Sequence, residues 1–228
     1  MDETRARTSD ARARMIDAQL RGRDITDARV LAAMAAVPRE AFVRASDQDH
    51  AYEDHPLSIG AGQTISQPYI VARMTELLAV GPGDRVLDVG TGSGYQAAVL
   101  AELGCRVTSI EREGALATEA AERLARLGYA DRVTVTAGDG TLGIPEGAPW
   151  DGILVAAAAP SIPVALRDQL GDGRRLVIPV GSRREQLLLI VERHGNEWTE
   201  RSDGACVFVP LIGAEGWASE TRRSQGVR

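Results

Sequence analysis

The sequence predicts an α/β fold in which a mostly parallel sheet carries helices on both faces. Apolar, strand-like runs alternate with amphipathic, helix-like segments from about residue 67 to residue 180, a pattern typical of parallel sheets. The clearest unit is the stretch 86–103, in which an apolar run, a glycine-rich turn and a helix-like segment follow one another. With 228 residues, the chain is long enough to bury a substantial core as one domain.

Apolar periodicity and turn residues set the limits of each predicted element. Helices are predicted over residues 10–20, 27–37, 67–79, 95–103, 113–127 and 163–170. Strands are predicted over residues 86–89, 106–111, 132–137, 152–157, 175–180, 186–193 and 205–209. Thr26 is the expected N-cap of the second helix, which Pro38 ends. The last strands follow one another without a helix, which indicates an antiparallel edge.

The composition excludes several classes of partner. The net charge of −6 provides no basic surface for nucleic acid or an anionic membrane. No segment has the roughly 18 apolar residues of a membrane span, and the start lacks the apolar region of a secretory leader, so we expect a soluble, cytoplasmic protein. The two cysteines and three histidines lack the spacing of metal ligands, so we expect reduced cysteines and no metal site.

The glycine-rich turn favours a site for S-adenosylmethionine (AdoMet). It reads VLDVGTGSGY and places Gly90, Gly92 and Gly94 just ahead of a helix, where a backbone can approach a cofactor closely. A dinucleotide fingerprint would need its third glycine at Tyr95. AdoMet carries a sulfonium, an ammonium and a ribose, and Asp88 suits those groups. The alternative for Asp88 is that it only caps the loop through backbone N–H groups.

Two further acids end predicted strands, which is where open parallel sheets bind ligands. In nucleotide-binding folds, an acidic side chain roughly 20 residues after the glycine turn hydrogen-bonds to the ribose hydroxyls. Glu111 follows the last glycine at close to that spacing. Asp139, within the stretch GDGT, is placed to accept a bond from an adenine amino group. We therefore expect Glu111 and Asp139 to bind the cofactor.

Three segments divide the predicted domain. Residues 1–80 hold an N-terminal helical cap and a loop for substrate and cofactor, residues 81–213 form the AdoMet-binding core, and residues 214–228 form a polar tail. Residues 1–9 are polar and arginine-rich, so we expect disorder there. Residues 46–66 show neither helical nor strand periodicity, and loops of that length are usually functional or disordered.

Ser66 ends this loop, directly before a helix that carries proline in its first turn. Its hydroxyl is able to cap that helix, which would be a sufficient structural explanation. A hydroxyl at the positive end of a helix, after a glycine-bearing loop, is also a good place to hold a carboxylate. Both roles are open at this point.

Several stretches together resemble the protein-L-isoaspartate O-methyltransferase family, over residues 15–212. They are YEDHPLSIGAGQTISQPYIVARMTELL at residues 52–78, the glycine turn with its helix, SIER, GDGT, PWDGILVAAAAP and GRRLVIPVG. The glycine turn is generic to AdoMet methyltransferases, whereas GQTISQP is specific to this family. The chain departs from the family pattern at Val207, where members commonly carry an arginine.

The resemblance implies a class I AdoMet-dependent methyltransferase fold, which is Rossmann-like, with a seven-stranded mixed sheet. It also implies that Ser66 is the active-site serine. The residues that it implies for the cofactor and substrate cleft, or for contact with ribose and adenine, are Gln63, Thr64, Ile65, Glu111, Asp139 and Gly140.

The implied reaction is AdoMet-dependent methyl esterification of the free carboxylate of L-isoaspartyl residues, after which the ester closes to a succinimide. A carboxylic acid with a pKa of roughly 3.3 to 3.9 is already ionised at neutral pH, so no general base is required and Ser66 would only orient it. We expect isoaspartyl peptides and proteins as partners, no nucleic acid, no membrane, and a monomer.

Four alternatives to this function differ in how well the sequence fits them. The same chemistry on aspartate of a dedicated biosynthetic peptide stays open. A dinucleotide-binding oxidoreductase is disfavoured by Tyr95 and the three acids. Acyl-enzyme chemistry at Ser66 lacks the G-x-S-x-G elbow and a histidine partner. DNA amino-methylation lacks the polar and aromatic groups that hold an extruded base, because residues 155–158 read VAAA.

Overall fold

Residues 2–219 are the part of the chain that the computed structural model describes, and they form six α-helices and nine β-strands. The helices are α1 (Asp2–Arg14), α2 (Ala28–Ala36), α3 (Pro68–Leu78), α4 (Tyr95–Glu102), α5 (Gly114–Arg126) and α6 (Val164–Asp168). The strands are β1 (Leu57–Gly60), β2 (Gln63–Ile65), β3 (Arg85–Val89), β4 (Arg106–Glu111), β5 (Val133–Ala137), β6 (Trp150–Val155), β7 (Leu170–Gly181), β8 (Gln186–His194) and β9 (Glu197–Cys206). Across these residues, no helix combines the length and hydrophobicity needed to span a membrane.

Strands β3 to β9 form one sheet in the order β5-β4-β3-β6-β7-β8-β9. The first five strands in this order pair in parallel, while β8 pairs antiparallel with both β7 and β9. The predicted seven-stranded, mostly parallel sheet with an antiparallel edge is thereby confirmed. The chain reverses its direction across the sheet between β3 and β6. In such sheets, ligands bind in the crevice at the carboxyl ends of the two strands that flank the reversal.

Successive residues of the central strands are buried on opposite faces of the sheet. Val86 belongs to the apolar core on the side of the N-terminal helices, whereas Leu87 and Val89 belong to the core on the other side. Because both faces are covered, the parallel strands are nearly continuous apolar runs in the sequence. Short apolar runs bounded by turn residues, and not a period of two, therefore identified these strands in the sequence.

The N-terminal helices pack over one face of the sheet, as the predicted cap. Helix α1 continues into a π-helix at Met15–Arg21, and α2 packs against α3 and α4. Met15, Leu20 and Met34 of this cap are completely buried. The prediction of disorder is wrong for residues 2–9, because α1 begins at Asp2 and runs without a break into the anchored π-helix. Residue 1 lies outside the described residues.

The N-cap of α2 is Asp27, so the prediction of Thr26 is wrong by one residue. The Asp27 carboxylate accepts a hydrogen bond from the N–H of Arg29 at 2.8 Å. Thr26 donates its N–H and its hydroxyl to Oε1 of Glu76 on α3, at 2.8 and 3.2 Å. Thr26 therefore bonds to Glu76 on another helix and does not cap α2. The sequence does not reveal this tertiary contact.

Residues 46–66, predicted to lack strands, contain the short antiparallel hairpin β1–β2. Its turn consists of Ala61 and Gly62, whose φ angles are +50° and +72°. Such turns favour asparagine or glycine at the first position, so the alanine concealed the hairpin in the sequence. Two 3₁₀ helices, Arg39–Phe42 and Ala45–His50, precede the hairpin and connect it to the cap.

The last strand is Glu197–Cys206, so the prediction of a strand over residues 205–209 is wrong. Strand β9 lies at the edge of the sheet, and its sequence is polar because most of its residues are exposed. The apolar residues that suggested a strand leave the sheet instead. There the N–H of Ala158 donates to the carbonyl of Val209 at 2.8 Å, which brings this segment to the end of β6.

The beginning of the predicted polar tail is bound to the core. The indole N–H of Trp217 donates to the carbonyl of Ala158 at 3.1 Å, and the backbone N–H of Trp217 donates to Leu211 at 2.8 Å. Residues 214–219 thus extend the core, and residues 220–228 lie outside the described residues.

Asp88 interrupts the apolar run of β3 and is completely buried. Its Oδ2 accepts a bond from the Ser109 hydroxyl on β4 at 2.7 Å, and the Thr91 hydroxyl lies 2.6 Å from that of Ser109. Its Oδ1 has no hydrogen-bond partner in the part of the chain that the structure describes. Burial raises the pKa of Asp88 to about 7; the bond from Ser109 opposes this shift and the charge of Glu111 adds to it.

We expect Asp88 to make the stability of the protein depend on pH. Its carboxyl group ionises near pH 3.8 when unfolded and near pH 7 when folded, so between these values the folded state holds a proton that the unfolded state releases. The stability that Asp88 contributes is full below the lower value and is lost as the pH rises through the higher one. As the pH rises from about 4.5 to about 7.5, the free energy of unfolding of Asp88→Asn should therefore increase by at least about 1 kcal/mol relative to that of wild type. Urea unfolding measures this difference.

Asp131→Asn is the matched control, because the Asp131 side chain is 77% exposed. The difference in the free energy of unfolding between Asp131→Asn and wild type should stay constant over the same pH range. If the Asp88→Asn difference is equally constant, the raised pKa of Asp88 is refuted.

Candidate active site

A cleft opens at the carboxyl ends of β3 and β6, where the strand order reverses. The space between its walls, open solvent included, is about 890 Å³. Its walls include residues 63–66 at the end of the hairpin, residues 90–93 of the glycine turn and residues 209–212 of the segment after β9. The site thus combines the parallel sheet with two segments from outside it.

Backbone conformation explains the glycines of the turn. Gly90 and Gly94 have φ angles of +94° and +89°, in the left-handed region that favours glycine. A Cβ atom on Gly94 would also come within 3.1 Å of Leu124 on α5. Gly90 and Gly92 line the cleft, whereas Gly94 occupies the N-cap position of α4. Close approach of Gly90 and Gly92 to a cofactor stays a prediction, and Gly94 shapes the turn.

Glu111 is buried at the end of β4 and lines the cleft. Its Oε2 accepts the N–H of Gly92 at 2.8 Å, and its Oε1 accepts the N–H of Glu113 at 3.0 Å. A carboxylate offers about four acceptor sites, so about two remain for a bound molecule. Two neighbouring hydroxyl groups, such as those of a ribose, match this arrangement.

Asp88 does not line the cleft, and the direct cofactor contact expected of it stays a prediction. Its carboxyl group reaches sideways to Ser109, its register partner on β4. Asp88 therefore lies beneath the turn and supports it through Ser109 and Thr91. Of the two roles considered for Asp88, support of the loop is the one that this geometry favours, although through hydroxyl groups and not through backbone N–H groups.

Asp139 also lies off the cleft wall, while Gly140 lines it. The Asp139 carboxylate accepts bonds from the N–H and hydroxyl of Thr141, at 2.9 and 2.7 Å, and from the N–H of Ala214 at 2.7 Å. Partial burial raises the pKa of Asp139, but these bonds outweigh it and the net pKa is lowered. The carboxylate thereby caps a 3₁₀ turn, and its bond to adenine stays a prediction. A Cβ on Gly140 would lie 2.5 Å from Val89, so packing requires that glycine.

Ser66 lies between β2 and α3 and lines the cleft. Gln67 holds the N-cap position of α3 and makes no side-chain cap bond, so the predicted capping role of Ser66 is wrong. Pro68 in the first turn has no N–H that would need such a cap. Among the described residues, none bonds to the Ser66 hydroxyl, which is therefore available to a bound molecule.

Gln63, Thr64 and Ile65 form strand β2 and line the cleft, as the resemblance implies. Pairing with β1 fixes their backbone. Ile65 is buried while Thr64 is exposed, so the strand has a core side and an open side. Contact of these residues with the cofactor stays a prediction.

Gln96 lines the cleft and was missed by the sequence analysis. Its Nε2 donates to the Thr75 hydroxyl oxygen at 2.9 Å, and that hydroxyl donates its only hydrogen to the carbonyl of Val71 at 2.7 Å. Thr75 is therefore able only to accept from Gln96, which fixes the orientation of the amide. The Gln96 carbonyl oxygen stays available as an acceptor. Its signal in the sequence is a polar residue near the start of a largely apolar helix.

A groove adjoins the cleft at Ser66. It shares Thr64 and Ser66 with the cleft, and Tyr69, Val207 and Phe208 are among its other walls. Val207 is 75% exposed. The cleft and the groove together suit two different molecules that meet at Ser66. Among the described residues, no group of three or more His, Cys, Asp or Glu side chains is placed to hold a metal ion.

Comparison with proteins of known family agrees with this geometry. The profile of the Protein-L-isoaspartate(D-aspartate) O-methyltransferase (PCMT) family matches residues 10–216. A protein-L-isoaspartate O-methyltransferase of Methanoregula boonei is 56% identical over 209 residues, which cover 92% of this chain and 96% of the relative. Protein-L-isoaspartate O-methyltransferase 2 of Marinobacter nauticus is 55% identical over 211 residues, with coverage of 92% and 96%.

Two solved structures share the fold over most of the chain. A protein-L-isoaspartate O-methyltransferase has a TM-score of 0.82 and 29% identity, covering 90% of this chain and 67% of that one. A PCMT structure from Plasmodium falciparum, in complex with S-adenosyl-L-homocysteine, has a TM-score of 0.75 and 25% identity, covering 88% and 98%. The resemblance seen in the sequence is confirmed: this chain belongs to the protein-L-isoaspartate(D-aspartate) O-methyltransferase family.

Proposed function

We propose that this chain is an enzyme that transfers the methyl group of AdoMet to the free carboxylate of L-isoaspartyl residues in peptides and proteins. The resulting ester closes to a succinimide, whose hydrolysis partly restores normal aspartate, so the transfer starts a repair. The observation that carries the proposal is the meeting of cleft and groove at Ser66, in a chain of this family.

The residues of the cleft fit AdoMet, which supplies a methyl group activated by the adjacent sulfonium. The relative from Plasmodium falciparum was solved with S-adenosyl-L-homocysteine, the same molecule without the transferable methyl group. Glu111 keeps acceptor sites for the two ribose hydroxyls. Gly90 and Gly92 present bare backbone to the cleft, and the Gln96 carbonyl oxygen suits a donor such as the ammonium group.

The role proposed for Ser66 is to orient the substrate carboxylate. That carboxylate is already ionised at neutral pH, so the reaction needs no general base. Of the described residues that line the cleft, none is a histidine. The negative charge of the carboxylate disappears as the ester forms, so a single neutral hydrogen bond from Ser66 holds the group without stabilising its charge strongly.

The chain's main contribution is to align two reactants and keep water out. Alignment of bound reactants supplies roughly 7 to 11 kcal/mol of the barrier in favourable cases. Ile65, which is buried, and Val209 bring apolar surface to the cleft next to Ser66. Packing of this kind limits the access of water to the reacting groups.

The alternatives from the sequence rank below this proposal. Membership in the family argues against a dinucleotide-binding oxidoreductase. A dedicated biosynthetic peptide as substrate has no specific support in the cleft or the groove. We propose isoaspartyl proteins as partners and no nucleic acid, in keeping with the net charge of −6. A monomeric state and a cytoplasmic location stay predictions.

A direct test is methyl transfer from labelled AdoMet to a peptide that contains one isoaspartyl residue. The control is the same peptide with a normal aspartyl residue, which has equal charge and composition. We expect label in the isoaspartyl peptide alone. Equal labelling of both peptides, or labelling of neither while AdoMet binds in calorimetry, would refute the proposed substrate.

We expect Ser66→Ala to lower kcat/KM for the isoaspartyl peptide by about 10- to 100-fold, the range for loss of one hydrogen bond to a charged group. The Kd for AdoMet should change by less than about twofold, because Ser66 is assigned to the second substrate. Calorimetric titration and initial rates give the two quantities.

Ser58→Ala is the matched control for this variant. Ser58 lies exposed on β1 of the same hairpin, so removal of its hydroxyl should leave both quantities unchanged. An equal loss of AdoMet affinity and turnover in Ser66→Ala would contradict the assignment to the carboxylate.

Glu111→Gln should weaken AdoMet binding by about 10- to 100-fold, since the amide offers fewer acceptor sites and places an NH₂ group against a backbone N–H. Glu113→Gln is the control, because Glu113 follows Glu111 by two residues but its side chain pairs with Arg112. Unchanged AdoMet affinity in Glu111→Gln, measured by calorimetry, would remove Glu111 from the cofactor site.

A further inference from the structure

Arg39 is a completely buried charged residue at the start of the 3₁₀ helix Arg39–Phe42. Its guanidinium bonds to backbone carbonyl groups and not to a carboxylate: Nε donates to Ala51 and Nη2 donates to Ser66, both at 2.7 Å. Among the described residues, none is a hydrogen-bond partner of its Nη1. Burial lowers the pKa of Arg39, which the neighbouring Tyr95 partly opposes.

Stability alone does not account for this arrangement. An ion that leaves water without a directly bonded carboxylate costs several kcal/mol. The two neutral carbonyl groups, the Tyr95 ring and the charge of Asp54 offset only part of that cost, because burial still lowers the pKa of Arg39. An apolar side chain of similar length would fill the space at lower cost. A residue that is expensive to bury and sits beside a site is therefore a candidate for a functional role.

The two carbonyl groups belong to segments that are also joined nearby, where the Gln67 amide donates to the Asp54 carboxylate at 3.3 Å. Ser66 lies between β2 and α3, so neither the strand ladder nor the helix bonds its carbonyl group. Ala51 follows the 3₁₀ helix Ala45–His50. The planar guanidinium has its donors in a rigid fork, so it fixes the distance between the two segments as well as bonding to each.

The same guanidinium lies over Tyr95, the first residue of α4 after the glycine turn. Its central carbon is 4.8 Å from the centre of the Tyr95 ring, within the range of a cation–π contact. Phe42, from the same 3₁₀ helix, packs edge-on against that ring at 5.4 Å between centroids. Arg39 is thus connected both to Ser66 and to the beginning of the helix that follows the cofactor turn.

We propose that Arg39 is a positioning residue for methyl transfer, which acts through the carbonyl group of Ser66 and the ring of Tyr95 to hold the Ser66 hydroxyl in register with the glycine turn. This inference rests on the proposed function of Ser66. It assigns the N-terminal cap a task in the reaction, because the cap fixes the alignment of the two substrate sites.

The test is a double-mutant cycle between Arg39→Lys and Ser66→Ala. Lysine keeps the positive charge but has a single donor group, so it cannot bond to both carbonyls in the geometry of the fork. We expect Arg39→Lys to lower kcat/KM for the isoaspartyl peptide by about tenfold, with the Kd for AdoMet within about twofold of wild type. Because Arg39 acts through Ser66, the double variant should lie within about threefold of Ser66→Ala alone.

Arg12→Lys is the matched control. Arg12 is a partly buried arginine of the same cap that donates to Tyr52 and pairs with Glu40, away from Ser66. Arg12→Lys should leave kcat/KM unchanged in the wild-type background and in the Ser66→Ala background, although it also removes arginine hydrogen bonds. Thermal unfolding of every variant sets an assay temperature at which all are folded, and Arg39→Gln repeats the cycle if the lysine variant does not fold.

The outcomes separate the two proposals. Suppose that Ser66→Ala lowers kcat/KM and that the loss in the double variant equals the product of the two single losses. The positioning role of Arg39 is then overturned, and the role of Ser66 stands. Unchanged kcat/KM in folded Arg39→Lys, or a loss explained by weaker AdoMet binding, overturns it as well. If Ser66→Ala alone has no effect, the function assigned to Ser66 fails, and the inference about Arg39 fails with it.

Discussion

The site depends on the central strand β3, which is hydrogen-bonded to β4 on one side and to β6 on the other. The order of strands reverses beside it, so the chain leaves the sheet at an open crevice. Left-handed backbone at Gly90 and Gly94 allows the sharp turn from this strand into α4. Glu111 bonds to the N–H of Gly92, so the carboxylate assigned to the ribose also fixes the loop beside it.

The N-terminal segment supplies what a parallel sheet does not provide, a wall opposite the strand ends. The hairpin β1–β2 brings Ser66 and the residues before it to the cleft, and α3 carries the chain back to the sheet. This wall is linked to the cap by Glu76, which accepts bonds from Thr26, and by Arg39. Cap, hairpin and glycine turn therefore form one connected frame around the place where cleft and groove meet.

Buried polar groups form much of that frame, at a cost to stability. Within residues 2–219, no group bonds to one oxygen of Asp88 beneath the glycine turn or to one nitrogen of Arg39 behind Ser66. An apolar side chain at either place would be cheaper to bury. Their positions under the two halves of the site indicate that orientation of the loops, and not stability, is what these groups provide.

The sequence by itself determined the fold class, the glycine turn and Glu111, because strand periodicity, left-handed turns and strand ends are local properties of the chain. It also placed Ser66 at the site through a family-specific stretch. Tertiary structure decided where the other groups point. Asp88 bonds to Ser109 on a neighbouring strand, and the orientation of the Gln96 amide in the cleft wall depends on a partner in α3. The buried fork of Arg39 likewise joins segments that are distant in sequence, and no local pattern encodes such contacts.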